Sequence, residues 1–207
     1  FPAAWSIVGW LDGDEAEPER LHDSVEAART LAGFVRALTA IDATGGPAPG
    51  THNFWRGVPL AARDEMSRRR IRESEGLVDT QAVMRAWERD LSAAVWNRPP
   101  TWLHGDLAPD NLLLTGGRLS AVIDWGGLGV GDPATELLPA WNLFRGASRG
   151  AYREALGFDD ATWARGRGLA LSISIVALPY YNDTLPVRAN RARAVIREVL
   201  ADQGQEA

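Results

Sequence analysis

The sequence predicts a predominantly helical α+β domain into which one small β segment is inserted. Two observations carry this expectation. Apolar residues recur at spacings of three and four over 18–42, 79–97 and most of 133–202, the period of a single buried helix face. Between 101 and 124 that period gives way to short β-prone runs on either side of Gly116-Gly117, the mark of a two-residue hairpin loop. With 207 residues, 45% of them hydrophobic and 24% charged, the chain can fill one large core or two modest ones.

Residues 5–11 (WSIVGWL) are β-branched and aromatic and predict a short strand, which Gly13 and the acidic run DGDEAEPE end in an exposed turn. Leu21, Val25, Ala28, Leu31, Val35, Leu38 and Ile41 form one apolar stripe and predict a helix from about Pro18 to Asp42, stopped by Gly45-Gly46-Pro47. Glycine and proline make 43–60 a long loop. A polar helix is expected over 61–75. Its RRRIR run is flanked by Asp64, Glu65, Glu73 and Glu75, so it reads as a solvated face rather than a nucleic-acid patch. The next helix, about 79–97, sets Val83, Trp87, Leu91 and Val95 at a stride of four and halts at Pro99-Pro100. After the β segment, helices are expected over 133–145, 148–157, 160–178 and 187–202, punctuated by Gly146, Gly157 and Pro186.

Composition removes several function classes. The chain has no cysteine, which excludes disulfides, thiolate zinc sites and cysteine nucleophiles. Its three histidines, His22, His52 and His104, are too scattered for a histidine metal cage. The net charge of -5 argues against a nucleic-acid partner. The longest apolar stretch, Leu169 to Tyr181, is short and broken by Ser172, Ser174 and Pro179, so no membrane partner is expected. The first residues lack the basic region of a signal peptide, which leaves a soluble, cytoplasmic domain as the expectation. All 22 basic residues are arginine. A Walker A loop, a Schiff base or a kinase phosphate clamp needs a lysine that this chain does not supply.

The chemistry concentrates at 104–124, HGDLAPDNLLLTGGRLSAVID. With Gly116 and Gly117 as the loop, Thr115 is expected opposite Arg118, Leu113 opposite Ser120 and Asn111 opposite Val122. Asn111 and Asp124 then become diagonal neighbours on one face, about 7–8 Å apart at Cβ. An amide oxygen and a carboxylate at that separation suit one hard cation, and magnesium takes such ligands together with waters and substrate phosphates. Asp106 lies five residues before Asn111, in a loop stiffened by Pro109. His-x-Asp-x-x-x-x-Asn, followed by an Asp one residue short of Gly, is the order of a kinase catalytic loop and metal loop. There the first Asp accepts the proton of the attacking hydroxyl and the other two residues hold Mg²⁺.

HGDLAPDNLLL followed by VIDWGGLGVGDPATEL resembles the aminoglycoside phosphotransferase family of small-molecule kinases. FPAAWSIVGWLDG is similar to that family's interlobe hinge, 21–42 (ending RALTAID) to its first large-lobe helix, and THNFWRGVPL to a loop of the same lobe. The resemblance covers about the whole chain, but only as the family's C-terminal lobe. It implies a protein-kinase-like lobe whose small β-hairpin carries the catalytic loop (104–111) and the metal loop (124–126). Residues 1–13 would be the hinge strand segment, 14–207 the lobe, and the N-terminal lobe with its glycine-rich loop and lysine would be absent. By the same resemblance Asp106 is the catalytic base, His104 a loop-supporting residue, and Asn111 and Asp124 the Mg²⁺ ligands. ATP or GTP would be the nucleotide, its base against backbone near Gly9 and Leu11. Asp132 would be a buried carboxylate bracing the catalytic loop. It also reads as the cap of the next helix, with Pro133 at the first position, and both roles can hold. The family has Asp where Glu136 stands, and Trp125 replaces a common Phe.

The implied activity, for the full-length protein, is transfer of a nucleotide γ-phosphate to a hydroxyl of a small molecule, by default an aminoglycoside-like antibiotic, and the 207 residues alone are expected to bind ATP·Mg²⁺ weakly and phosphorylate nothing. Choline, homoserine or a macrolide would serve the same chemistry. The alternative of another class is a non-catalytic ligand- or partner-binding lobe. Glu136, Glu154, Asp159, Asp160 and Asp183 lie on the helices expected to build the acceptor cleft, with Tyr180-Tyr181-Asn182-Asp183 as the pocket candidate. Gly129-Val130-Gly131-Asp132-Pro133-Ala134 imitates a dinucleotide fingerprint but has no acidic strand end about 20 positions on. No G-x-S-x-G elbow accompanies His104. Most of the nine tryptophans, among them Trp87, Trp96 and Trp141, sit at core spacing.

Overall fold

A computed structural model describes residues 8–205, with side chains to residue 202. The first strand forms at β1 (Asp14–Glu15), inside the acidic run expected to be a turn. Residues 5–7 of the expected strand lie outside the described residues, and 8–13 have no regular structure. Val8 and Trp10 are exposed there. β1 forms because Asp14 and Glu15 pair antiparallel with Leu114 and Leu113, so backbone pairing and not side-chain propensity sets it.

The single helix expected over 18–42 is two. α1 (Pro18–Leu21) stops at His22-Asp23, and α2 (Val25–Thr39) restarts with Ser24 as N-cap, its side chain accepting from the Ala27 N–H at 3.1 Å. Leu21, Ala28, Leu31, Val35 and Leu38 of the stripe are buried and Val25 is partly buried, while Ile41 lies beyond the helix and is exposed. α3 (Asp64–Glu73) buries Ile71, and the flanking arginines pair with Asp64, Glu73 and Glu88, as the solvated-face reading required. α4 (Thr80–Leu91), capped by Asp79, ends six residues before the expected 97, so Val95 is exposed outside it.

The β segment consists of β2 (Thr101–Leu103), β3 (Leu112–Thr115), β4 (Arg118–Val122) and β5 (Gly129–Gly131), forming the sheets β1-β3-β4 and β2-β5. The expected 133–145 helix is instead a 3₁₀ segment (Pro133–Leu137) followed by the short α5 (Pro139–Asn142). α6 (Gly146–Leu156) closes on Gly157 in the left-handed conformation (φ 65°). α7 (Asp160–Tyr181) runs three residues past its expected end with Pro179 in the last turn, and α8 is Pro186–Gln205.

α7 is the axis of the fold. Trp163, Leu171, Ile175 and Leu178 are buried, and α3, α4, α8 and the 3₁₀ segment pack around it. A Cβ on Gly166 would lie 2.6 Å from Leu137, and one on Gly168 2.6 Å from Leu60, so these glycines let both neighbours close on the helix. Arg167 of α7 ties buried Asp90 of α4 (2.8 Å) to Asp202 of α8 (3.3 Å). No helix among the described residues is long and apolar enough to cross a membrane.

Candidate active site

The hairpin turns where the two glycines stand, with Thr115 opposite Arg118, but the register beyond differs from expectation. A bulge places Leu114 opposite Leu119, Leu113 opposite Ala121 and Leu112 opposite Val122. Ser120 is the extra residue. Its hydroxyl donates to the Leu113 carbonyl (3.1 Å) and bonds the Thr115 hydroxyl (3.0 Å), so a side chain takes the acceptor that the regular ladder would use. Asn111 therefore faces Ile123, whose N–H donates to the Asn111 carbonyl at 2.9 Å, and not Val122. The simple same-face derivation for Asn111 and Asp124 fails with that register. Asp124 is instead re-aimed by its own backbone, which is left-handed (φ 61°, ψ 71°), with its carboxylate accepting from the Gly126 N–H at 3.3 Å.

His104, fully buried at the end of β2, links the two loops. Its Nε2 donates to the Ile123 carbonyl (2.9 Å), one residue before Asp124, and its Nδ1 accepts the Asp106 N–H (3.3 Å). Burial pushes the imidazole pKa down, against the opposing pull of the Ile123 carbonyl, Asp106 and Asp124. The ring is thus neutral with its tautomer fixed, and it meets the Trp125 ring edge-on at 4.9 Å. Next to it the backbones touch. Gly105 has φ 86°, and a Cβ there would lie 2.6 Å from the Gly127 carbonyl; one on Gly127 would lie 2.9 Å from that of His104.

Asp106 is half-exposed and points at two partners. The Arg56 guanidinium lies 3.4 Å from its carboxylate, and the Asn111 amide donates to its backbone carbonyl (2.8 Å) and its carboxylate (3.4 Å). With Nδ2 committed in this way, the Asn111 amide oxygen is the group left for a cation. Asn111 and Asp124, on adjacent backbone, offer the oxygen donors that magnesium prefers. Among the described residues no group of three His, Cys, Asp or Glu could hold a metal ion, so an ion here would draw on an amide oxygen, as magnesium sites do.

The carboxylate that braces the 104–111 loop is Glu136, not Asp132. Glu136 is completely buried in the 3₁₀ segment and accepts the Gly105 N–H at 2.9 Å. Burial raises its pKa to about 7, against the lowering effect of the Gly105 and His104 N–H groups and Arg56. Asp132 caps the segment through the Ala134 N–H (3.0 Å) and pairs with buried Arg165 of α7 at 2.6 Å, so its capping role stands and its bracing acts on α7. The longer side chain of Glu136 spans to Gly105 from a site one helical turn further on.

Arg56 is the residue that sequence reasoning missed. It lies fifty positions from Asp106, and only the resemblance of its loop pointed to it. Burial lowers its pKa, partly offset by Asp106 and Glu136. Of the acceptor candidates, Tyr181 lines a cavity of about 270 Å³ that Asp106 also lines. Tyr180 is exposed and stacks edge-on against Tyr181 (4.7 Å), while Asn182 donates to Asp183. Tyr180, Asn182 and Asp183 do not line the cavity. Gly9 and Leu11, the expected nucleotide contacts, lie in the exposed 8–13 stretch and make no hydrogen bond to the catalytic loop.

Similar folds occur in solved phosphotransferases. Macrolide 2'-phosphotransferase MphH from Brachybacterium faecium is 21% identical, with 84% of this chain and 60% of that one covered and a TM-score of 0.52. The GDP and kanamycin complex of APH(2")-IIia is 16% identical over 92% of this chain and 69% of that one, with a TM-score of 0.63. ADP-bound APH(2'')-Ib is 17% identical over 91% and 70%, with a TM-score of 0.52. The chain thus spans 60–70% of the length of these proteins. A comparison with curated protein sequences finds no match. The model of the APH phosphotransferase enzyme family matches residues 2–169, which takes in the hairpin, both loops, Asp132 and Glu136, and the chain belongs to that family.

Proposed function

We propose that the chain works in transfer of the γ-phosphate of ATP or GTP to a hydroxyl of a small molecule, with Asp106 as the base. The observation that carries this is the placement of Asp106: half-exposed on the wall of a cavity, tethered by Asn111, and steadied by Arg56. In this reading 104–111 is the catalytic loop, 124–126 the metal loop, 14–207 a kinase-like C-terminal lobe and 1–13 a hinge segment.

Phosphoryl transfer needs positioning and charge neutralisation more than covalent chemistry. Asp106 accepts a hydrogen bond from the acceptor hydroxyl and takes its proton as the new P–O bond forms and the bond from the γ-phosphorus to the departing ADP or GDP breaks. Arg56 holds Oδ1 and the Asn111 amide reaches Oδ2, which together fix the rotamer, and the remaining lone pairs of the half-exposed carboxylate are open to the hydroxyl. Neutral His104 fixes the spacing between Asp106 and Asp124 without adding charge. Asn111 and Asp124 would hold Mg²⁺, which when bound neutralises the phosphate oxygens. A cytoplasmic site, where both nucleotides abound, goes with this activity. Solved proteins of this fold are named for aminoglycosides and macrolides, which supports a small hydroxylated acceptor. For an aminoglycoside-like antibiotic, Glu19 and Asp110 on the cavity wall are the carboxylates that amines would meet.

The test is Asp106→Asn in a full-length version that carries the N-terminal lobe, in a nucleotide-dependent phosphorylation assay. Turnover should fall roughly 10²–10⁴-fold while nucleotide affinity stays nearly unchanged, as for loss of a general base. Undiminished turnover would remove Asp106 from the reaction.

A further inference from the structure

The cavity beside Asp106 has two walls of opposite charge. α1 and the catalytic loop contribute Glu19, Asp106 and Asp110; α8 contributes Arg188 and Arg191. The other two basic residues of the lining are accounted for. Arg145 pairs with Glu198 at 3.1 Å, and burial beside Arg145 pushes the His22 pKa down, so this imidazole is neutral at pH 7. Arg188 and Arg191 are exposed and, among the described residues, have no carboxylate within ion-pair distance. They stand three positions apart on α8 and share one face of it. Arg188 lies 5.7 Å over the Tyr181 ring, which also lines the cavity and anchors that guanidinium.

Between the charged walls the lining is apolar, with Leu138, Trp141, Ile173, Ala177 and Val195. The volume of about 270 Å³ falls just below the range of roughly 300–1,000 Å³ usual for small-molecule sites. A polycation of several linked aminosugar rings would place ammonium groups against two guanidinia that, among the described residues, no carboxylate neutralises.

We infer that the acceptor is a compact hydroxyl compound carrying an anionic group, carboxylate or phosphate, that Arg188 and Arg191 hold while its hydroxyl meets Asp106. This rests on Asp106 being the base. Planar guanidinium forks bind either anion in bidentate fashion. The reacting hydroxyl and the anion occupy opposite walls, with the apolar body between them. The two arginines thereby set which molecules present a hydroxyl to Asp106, and neither takes part in moving the proton.

Titration calorimetry of the chain with four probes on one ring tests this: 3-(hydroxymethyl)benzoate, 3-(hydroxymethyl)phenyl phosphate, 3-(hydroxymethyl)benzamide and 3-(hydroxymethyl)benzylamine. At least one of the anions should bind roughly tenfold more tightly than the amide, with the amine weakest, as for a charge-assisted pair. The tighter of the two anions names the source. In Arg188→Gln/Arg191→Gln, with folding checked by circular dichroism, anion and amide affinities should fall within about threefold of each other. Equal or tighter binding of the amine, no measurable binding of either anion, or a preference that survives the double substitution would each overturn the inference. Phosphorylation of the same probes separates the two proposals. With the chain joined to an N-terminal lobe that supplies the glycine-rich loop and lysine, anion preference without product would leave the arginine site standing and sink the transfer reading. Product formed without anion preference would do the reverse.

Discussion

Replacing Glu136 by Gln should make the protein more stable at alkaline pH and leave it almost unchanged in acid. The carboxyl is fully buried, and burial raises its pKa from 4.5 to about 7. Between those values the native state keeps a proton that the unfolded chain has lost. Native protein then binds more protons than unfolded protein, so stability falls as pH rises. The stabilising contribution is complete below pH 4.5 and gone above pH 7. At about 1.4 kcal/mol per pH unit the total is about 3 kcal/mol. A carboxamide keeps an oxygen for the Gly105 N–H and has no proton to lose. Urea unfolding of both proteins at pH 5, 6, 7 and 8 isolates the effect, because every other titrating group cancels in the difference. The variant's advantage should grow from pH 5 to pH 7 and level off by pH 8. A difference that stays flat over this range would show that Glu136 ionises as an ordinary carboxylate, and that the loop is not braced by a protonated acid near neutrality.

Asp132→Ala leaves Arg165 buried without its carboxylate and should cost roughly 3–5 kcal/mol in urea unfolding; a loss below 1 kcal/mol would show the pair to be dispensable. Gly105→Ala forces a Cβ onto the Gly127 carbonyl at φ 86° and should cost roughly 1–3 kcal/mol for the backbone alone, with a matching loss of turnover. Gly116→Asn is its control, since that site is also left-handed but opens onto empty space, and thermal melting should barely move.

The sequence made the site's own residues legible because their spacing is local. His104, Asp106 and Asn111 lie within one loop, and Gly116-Gly117 fixes where the hairpin turns. What escaped depends on contacts that no spacing encodes. The Ser120 bulge arises from a hydroxyl competing for a ladder carbonyl, and it displaced the expected register by one residue. Which of Asp132 and Glu136 reaches the catalytic loop follows from how the 3₁₀ segment lies on α7, where Gly166 admits Leu137. The interruption at His22-Asp23 did leave a signal, since Ser24 ahead of Glu26 is an N-cap in a stretch otherwise counted as helix interior. Arg56 left none that stands apart from its surroundings.

The contact between Gly105 and Gly127 joins the two loops through main chain alone. Together with the buried His104 bridge, that approach keeps the distance between the segment that would carry the base and the segment that would carry the cation independent of any exposed side chain. That distance is therefore insensitive to what the rest of the cavity wall becomes. Arg188, Arg191, Tyr181 and Glu19 lie on elements joined to the loops only through the packed interior, so substitutions there can exchange one acceptor for another without re-aiming Asp106. Under the proposed function, a fold arranged in this way can change its acceptor while leaving the phosphoryl-transfer machinery untouched, and selection for new acceptors should leave its record in α1 and α8 before it reaches either glycine.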